Sequence, residues 1–162
     1  EDMAALRFAI AKEGLPARIA ADESIRKAED PLKVARANAA DLMVIKSAPL
    51  GGVRRALALV EQAQLPAVVS SALESSVGIA TGASLAASLP TLRYGCGLGT
   101  VSLMAEDVTD EPLIARDGFM DLRAITPRLQ RLKRLATDEQ TRQWGVERVT
   151  ACYRVLERAC GL

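Results

Sequence analysis

The stretch DLMVIKSAPLGG, residues 41–52, decides the fold. Residues 42–45 form an unbroken apolar run, which is typical of a strand that is buried on both faces of a parallel sheet. Lys46 follows this run directly, and Pro49 with two glycines then permits a sharp turn. The stretch therefore predicts a buried strand that ends in an ammonium group at the edge of a sheet.

Similar apolar runs recur along the chain. They cover residues 17–21 (ARIAA), 67–69 (AVV) and, less clearly, 91–95 (TLRYG). The residues that follow the four runs are separated by 24, 24 and 26 positions, and they are Asp22, Lys46, Ser70 and Cys96. Regular runs of this kind, with helical intervals between them, predict a parallel sheet.

Each interval carries a helix signal. Asp30 and Pro31 form a favourable helix start, because the carboxylate can accept from free amides and proline fits the first helical position. The next interval has one apolar stripe with helical spacing, formed by Val53, Ala56, Leu57 and Val60. Residues 74–90, ended by a proline, and residues 1–12 also fit helices.

Two architectures fit this alternation, an open doubly wound sheet and part of a (β/α)8 barrel. Even spacing and polar residues at the carboxyl ends of strands favour the barrel, because barrel active sites lie at that rim. A closed barrel needs eight strands in about 250 residues. We therefore expect an α/β fold in which residues 1–104 form about half of a TIM-type barrel, the chain beginning inside an element.

Residues 105–162 are predicted to form a C-terminal extension. A turn at Asp117 and Gly118 suggests a hairpin within residues 105–123, and a basic amphipathic piece follows at 127–135. A capping box at residues 137–140 then predicts a last helix. The side chains expected to pack this helix onto the body or a capping region are Trp144, Val149, Cys152, Tyr153 and Leu156.

Composition excludes several functions. A net charge of +1 and 3% aromatic residues argue against a nucleic-acid partner. The sequence has no apolar run near the roughly 20 residues that span a bilayer and no signal-peptide pattern, so we expect a cytoplasmic protein without a membrane partner. The cysteines are odd in number, lack CxxC spacing and have no histidine nearby. We expect Cys96, Cys152 and Cys160 to be reduced and packed as small apolar groups.

Two motifs at the predicted rim carry chemistry. ADES, residues 21–24, sets two carboxylates after a strand, where hard oxygen ligands can bind a divalent cation. A turn or helix cap is the simpler interpretation of this motif, and a lysine that extends to water is the simpler interpretation of Lys46. Together, however, a carboxylate and a buried ammonium on adjacent strands suit proton chemistry beside a metal.

These segments carry a family resemblance. ADES, VIKSAPLGG, VVSSALESSVGIATGASLAASLP and YGCGLGT together resemble the C-terminal half of an enolase-superfamily barrel, about strands 5 to 8, and most closely the actinobacterial o-succinylbenzoate synthases. The resemblance extends from residue 1 to about residue 120. It implies a Mg²⁺-dependent lyase of menaquinone biosynthesis, which dehydrates 2-succinyl-6-hydroxy-2,4-cyclohexadiene-1-carboxylate through an enediolate.

The resemblance also implies roles for individual residues. Asp22 matches a magnesium ligand with Glu23 beside it, and Lys46 matches a lysine that faces the small carboxylate substrate. Gly51 and Gly52 match a loop whose backbone approaches that substrate. The remaining matches line the pocket or lie on the eighth strand, and they are Ser70, Ser71, Glu74, Gly95, Gly97 and Gly99.

The family's other two metal carboxylates and its lysine pair have no counterpart in this sequence. We therefore expect the chain alone to be inactive and to need the first half of the barrel in cis or in trans. Three alternatives remain open. Lys46 could be the acid and base of an N-acylamino acid racemase, GCGLGT at residues 95–100 could bind phosphate, or the chain could be a non-catalytic half-barrel subunit.

Overall fold

A computed structural model describes residues 2–26 and 30–160, except for the side chains of residues 159 and 160. The chain divides into two compact units, Glu1–Pro127 and Arg128–Leu162. The sequence had suggested a division at residue 104. In the structure, residues 105–127 belong to the first unit, where Leu113 is buried.

The first unit contains a parallel sheet of three strands, β1 (Ala20–Ala21), β2 (Leu42–Ile45) and β3 (Ala67–Val69), in that order. Ala21 pairs with Met43, and Met43 pairs with Ala67. The predicted α/β fold with a parallel sheet is confirmed. Strand β1 is shorter than predicted. The carbonyl of Ile19 accepts from the amides of Asp41 and Leu42 at 2.8 and 3.3 Å, but the amide of Ile19 donates to the carboxylate of Asp41 at 2.8 Å and not to a strand.

Helices connect the strands. In chain order the helices of the described ranges are α1 (Asp2–Lys12), α2 (Glu23–Arg26), α3 (Lys33–Arg36), α4 (Val53–Ala63), α5 (Ser76–Ser88), α6 (Leu129–Arg134) and α7 (Glu139–Cys160), with a 3₁₀ turn at Thr100–Leu103. The helix start predicted at Asp30 and Pro31 is displaced. Asp30 accepts from the amides of Leu32 and Lys33, so these residues make a turn and α3 begins at Lys33.

The core lies around the central strand. Met43, Ile45 and Val69 on the strands have no exposed surface, and neither do Ile79 and Leu85 on α5. Burying side chains of this size contributes about 1.5–3 kcal/mol each. The apolar run that decided the fold is therefore also the centre of its packing.

The fourth strand was predicted at residues 91–95, and this position is wrong. The side chains of Leu92 and Arg93 are exposed there, and the chain meets the sheet only at Gly97. Gly97 donates to the carbonyl of Val69 at 2.8 Å, and Ser71 donates to the carbonyl of Gly97 at 3.0 Å. The fourth strand is reduced to a single bridge, two residues beyond the predicted run.

The predicted hairpin is equally short. Arg116 and Phe119 form one antiparallel bridge, at 2.8 and 2.9 Å, around a turn in which Asp117 has φ 50° and Gly118 has φ 81°. Two positive φ values in a two-residue loop are typical of a type I′ turn. The turn prediction is confirmed, whereas the extended strands beside it are absent from the described structure of residues 105–123.

The second unit contains α6 and α7. Asp138, not Thr137, caps α7, because its Oδ1 atom accepts from the amide of Thr141 at 2.9 Å. The residues that were expected to pack α7 are exposed in this chain, and they are Trp144, Val149, Cys152, Tyr153 and Leu156. Their burial by a capping region stays a prediction.

The cysteines differ from expectation. Cys96 and Cys152 are free thiols, as predicted, but both are exposed and so do not serve as core residues. The side chain of Cys160 lies outside the described residues. Within the described ranges, no helix combines the length and the apolar character that crossing a membrane requires.

Candidate active site

The three strands bring polar residues to one edge of the sheet. Asp22, Lys46 and Ser70 directly follow β1, β2 and β3, and Gly97 is bridged to Ser70. Because the strands are parallel and adjacent, their carboxyl ends meet along the same rim. The rim therefore gathers the residues that the sequence had singled out.

Lys46 and Asp22 form an ion pair at this rim. The Nζ atom of Lys46 lies 2.8 Å from Oδ2 of Asp22, and only 10% of the lysine side chain is exposed. A buried ammonium group requires a partner charge, because transfer from water is costly. Lys46 is thus not a lysine that extends to water, since its charge is held against the carboxylate one strand away.

Asp22 has two distinct carboxylate oxygens. Oδ2 accepts from Lys46, whereas Oδ1 is buried and accepts no hydrogen bond from the described residues. The backbone carbonyl of Asp22 accepts from the amides of Ile25 and Arg26, at 2.9 and 3.1 Å. Asp22 therefore begins α2 through its main chain, which leaves its side chain for the rim.

Arg26 is a rim residue that sequence analysis missed. Its Nε atom lies 3.5 Å from Oδ1 of Asp22, and its terminal nitrogen donates to Oε1 of Glu23 at 2.8 Å. The guanidinium of Arg26 holds the pKa of Glu23 below its usual value, because it stabilises the charged carboxylate. The available signal was the four-residue spacing from Asp22, which places the two side chains on one helical face.

The glycine loop turns the chain back over the end of β2. Leu50 donates to the carbonyl of Lys46 at 3.3 Å, and Gly52 donates to the carbonyl of Ser47 at 2.8 Å. Gly51 and Gly52 have φ values of 82° and 105°, which residues other than glycine rarely adopt. The loop thus lies directly beside Lys46 with its backbone exposed or half-exposed.

The serines after β3 form a separate hydroxyl cluster. The Oγ atom of Ser71 is 2.9 Å from Oγ1 of Thr100 and 3.1 Å from the carbonyl of Gly97. Ser70 is half-exposed and donates at 3.3 Å to the same carbonyl. Glu74 accepts from the amide of Ala72 at 3.2 Å and so orders its own turn. Among the described residues, no hydrogen bond joins this cluster to the Asp22–Lys46 pair.

The glycine-rich segment at residues 95–100 is committed to structure at its centre. The amide of Gly97 donates to the carbonyl of Val69. A Cβ atom at Gly97 would lie 2.8 Å from Oγ of Ser70. Close packing against the sheet therefore explains the glycine at position 97, and no phosphate-binding role is needed to explain it.

The described side chains fit a metal ion only in part. Among the described side chains, those of residues 2–26 and 30–158, no three His, Cys, Asp or Glu side chains converge as a metal-binding group. Oδ1 of Asp22 is nevertheless a buried oxygen without a hydrogen bond, of the hard type that Mg²⁺ prefers. Asp22 thus suits one position in a ligand set and cannot form a complete site by itself.

Comparison with known proteins finds relatives that match most of this chain. Two relatives named o-succinylbenzoate synthase are each 53% identical to this chain. The one from Mycolicibacterium smegmatis matches 96% of the chain and 47% of its own length, and the one from Mycobacterium tuberculosis H37Rv matches 88% and 44%. The chain therefore spans about half the length of the curated relatives it matches.

Solved structures give the same family. A 2-chloromuconate cycloisomerase from Rhodococcus opacus has a TM-score of 0.71 at 28% identity, over 84% of this chain and 38% of its own. Muconate cycloisomerase from Pseudomonas fluorescens has a TM-score of 0.68 at 28% identity, over 82% and 38%. The family model described as enolase C-terminal domain-like matches residues 1–127. Since that match covers well over half of the sequence, the chain belongs to the enolase C-terminal domain-like family.

Proposed function

We propose that this chain supplies the second half of the barrel of an o-succinylbenzoate synthase, a cytoplasmic lyase of menaquinone biosynthesis. The observation that carries the proposal is the 2.8 Å contact between Lys46 and Asp22 at the carboxyl ends of neighbouring strands. The relatives that are 53% identical and carry this name support the substrate assignment.

The proposed reaction removes water from 2-succinyl-6-hydroxy-2,4-cyclohexadiene-1-carboxylate. A proton leaves the ring carbon that bears the carboxylate, and the enediolate that forms expels the hydroxyl group, so that the ring becomes aromatic. Negative charge accumulates on the substrate carboxylate during this step, and a fixed cation lowers its energy. Lys46 is suited to that task because its ammonium group is buried and already directed into the rim.

Mg²⁺, when bound, would act as a Lewis acid at the substrate carboxylate, with Asp22 as one ligand. In this proposal Lys46 stabilises charge and orients the ring, and Gly51 and Gly52 bring backbone against the substrate. Ser70, half-exposed and with one long hydrogen bond, is better placed than Ser71 to receive the succinyl carboxylate. Glu74 and Gly97 would shape the same wall of the pocket.

The remaining catalytic groups would come from the first half of the barrel, in cis or in trans. The test joins this chain to the part of the Mycolicibacterium smegmatis synthase that has no counterpart here. We expect the joined protein to form o-succinylbenzoate with Mg²⁺, to stop when the metal is chelated and to recover when Mg²⁺ is restored.

Lys46→Ala in the joined protein is expected to lower kcat by about 100-fold or more, since it removes a preorganised charge. Lys33→Ala, which changes an exposed lysine on α3, is the matched control and should keep full activity. Full activity in Lys46→Ala would refute the role of this lysine. Racemisation of N-succinyl amino acids without dehydration would replace the synthase by a racemase, and turnover by the 162-residue chain alone would refute the need for a first half.

A further inference from the structure

Arg26 and Asp22 show an unusual pairing at the rim. Oδ1 of Asp22 and Nε of Arg26 are both buried, and neither has a hydrogen-bond partner among the described residues. The two atoms nevertheless lie 3.5 Å apart, within ion-pair distance but outside good hydrogen-bond geometry. Buried polar atoms without partners are rare in proteins and call for a physical reason.

The guanidinium of Arg26 is held from its other side. Its terminal nitrogen donates to Oε1 of Glu23 at 2.8 Å, and 25% of the Arg26 side chain is exposed, against 61% for Glu23. Ile25 lies between them in sequence and is almost fully buried, which fixes the short helix α2 onto the core. Arg26 is therefore held in place by Glu23 on its exposed side and faces Asp22 on its buried side.

This arrangement divides the work of the two oxygens of Asp22. Oδ2 accepts a hydrogen bond from Lys46. Oδ1 lies near the positive charge of Arg26 but accepts no hydrogen bond from the described residues. A carboxylate that rotated toward Arg26 would form a stronger bond there and would release Lys46. Because Glu23 holds the guanidinium through its terminal nitrogen, Nε of Arg26 stays 3.5 Å from Oδ1, and Oδ2 keeps its 2.8 Å contact with Lys46.

We propose that Arg26 is a positioning residue of the rim. Its guanidinium, held by Glu23, keeps Oδ2 of Asp22 hydrogen-bonded to Lys46 and leaves Oδ1 without a hydrogen bond. It acts on the reaction only through Asp22 and Lys46. The catalytic consequence rests on the proposed function, whereas the side-chain arrangement does not depend on it.

The first test observes the arrangement directly. In the isotope-labelled 162-residue chain, NMR resolves the Nε–Hε resonances of arginine side chains that are held rigidly. We expect Glu23→Gln and Asp22→Asn each to shift or broaden the Arg26 resonance. Asp30→Asn, which removes the partner of Arg36, is the control and should affect Arg36 alone. An Arg26 resonance that ignores both Glu23→Gln and Asp22→Asn overturns the proposal.

The second test measures catalysis in the joined protein. We expect Arg26→Gln to lower kcat roughly tenfold or more with a smaller change in KM, because misplacing a catalytic group acts mainly on turnover. Arg26→Lys keeps the charge and should recover part of the loss. Arg36→Gln is the matched control and should have wild-type kcat.

Two further results separate positioning from a purely structural role. Glu23→Gln should lower kcat in the same direction, and the double variant should be no slower than Arg26→Gln alone, since both changes break one contact chain. If Arg26→Gln and Arg26→Lys lower kcat equally, and each loss matches a fall in the urea midpoint of unfolding of that variant, the proposal is overturned. A joined protein with no dehydratase activity would refute the proposed function, and the NMR test would still decide the role of Arg26.

Discussion

Asp41 organises the end of the sheet opposite the rim. Its Oδ2 atom accepts from the amide of Ile19 and its Oδ1 atom from Nε of Arg7, both at 2.8 Å. Arg7 also donates to Oδ1 of Asn38 at 2.8 Å. These contacts tie α1 and the start of β1 to the start of β2. The Ile19 amide first, and Arg7 second, hold the pKa of Asp41 below its usual value of 3.8.

A lowered pKa makes this contact pH-dependent. Asp41 is charged in the folded chain at a pH where the unfolded chain binds a proton, so its stabilisation is present above about pH 4 and is lost as the pH falls further. We expect Asp41→Asn to lower the free energy of unfolding by about 1 kcal/mol at pH 7. The difference from wild type should shrink between about pH 5 and pH 3 in urea titrations.

The control for this prediction is Asp121→Asn, which changes an exposed aspartate. It should leave the free energy of unfolding close to that of the wild type at pH 7 and at about pH 3. A difference between wild type and Asp41→Asn that stays constant from pH 7 to pH 3 would contradict the assignment of the pH-dependent contact to Asp41.

Single residues of the rim differed in how far the sequence predicted them. Lys46 was predictable because an apolar run followed directly by a lysine and a glycine loop is typical of a buried strand that ends at a polar rim. Arg26 was not, because its role depends on α2, a helix of four residues, and the four-residue spacing from Asp22 alone does not predict so short a helix. Its contact with Asp22 exists only once the backbone turns after β1.

At the scale of elements, strands β2 and β3 were predicted at their observed bounds, since their apolar runs are buried by the sheet itself. The fourth strand was not, because the pairing of Gly97 depends on the close approach of Ser70 and not on apolar side chains. The interval between β1 and β2 likewise divides into α2 and α3, where the helix signal at Asp30 had suggested one start.

The cap of α7 provides a prediction at this scale. Asp138 accepts from the amide and hydroxyl of Thr141, at 2.9 and 2.8 Å, which lowers the pKa of its carboxyl. We expect Asp138→Ala to make amide exchange in the first turn of α7 roughly fivefold faster, since an N-cap is lost. Thr137→Ala, at the position the capping box had indicated, should change exchange far less. Equal effects of the two variants would restore Thr137 as the cap.

At the scale of the whole molecule, the first unit exposes surfaces that other chains can bind. Strand β1 ends the sheet on one side, and within the described ranges its outer edge pairs with no further strand. On α1, which has no buried residues, Leu6 and Phe8 are 54% and 72% exposed. An open strand edge and exposed apolar side chains each favour association with another copy.

We therefore expect the chain alone to self-associate, and the joined protein of two halves to be discrete, in size-exclusion chromatography with light scattering. Ala20→Lys places a charge on the exposed position of β1, and charges on edge strands disfavour edge-to-edge pairing. This variant should shift the chain alone toward monomer. Thr81→Lys adds the same charge at an exposed position of α5 and should leave the association unchanged. A monodisperse wild-type monomer would refute the expected self-association. Equal effects of the two lysines would indicate that net charge, and not the edge of β1, controls association.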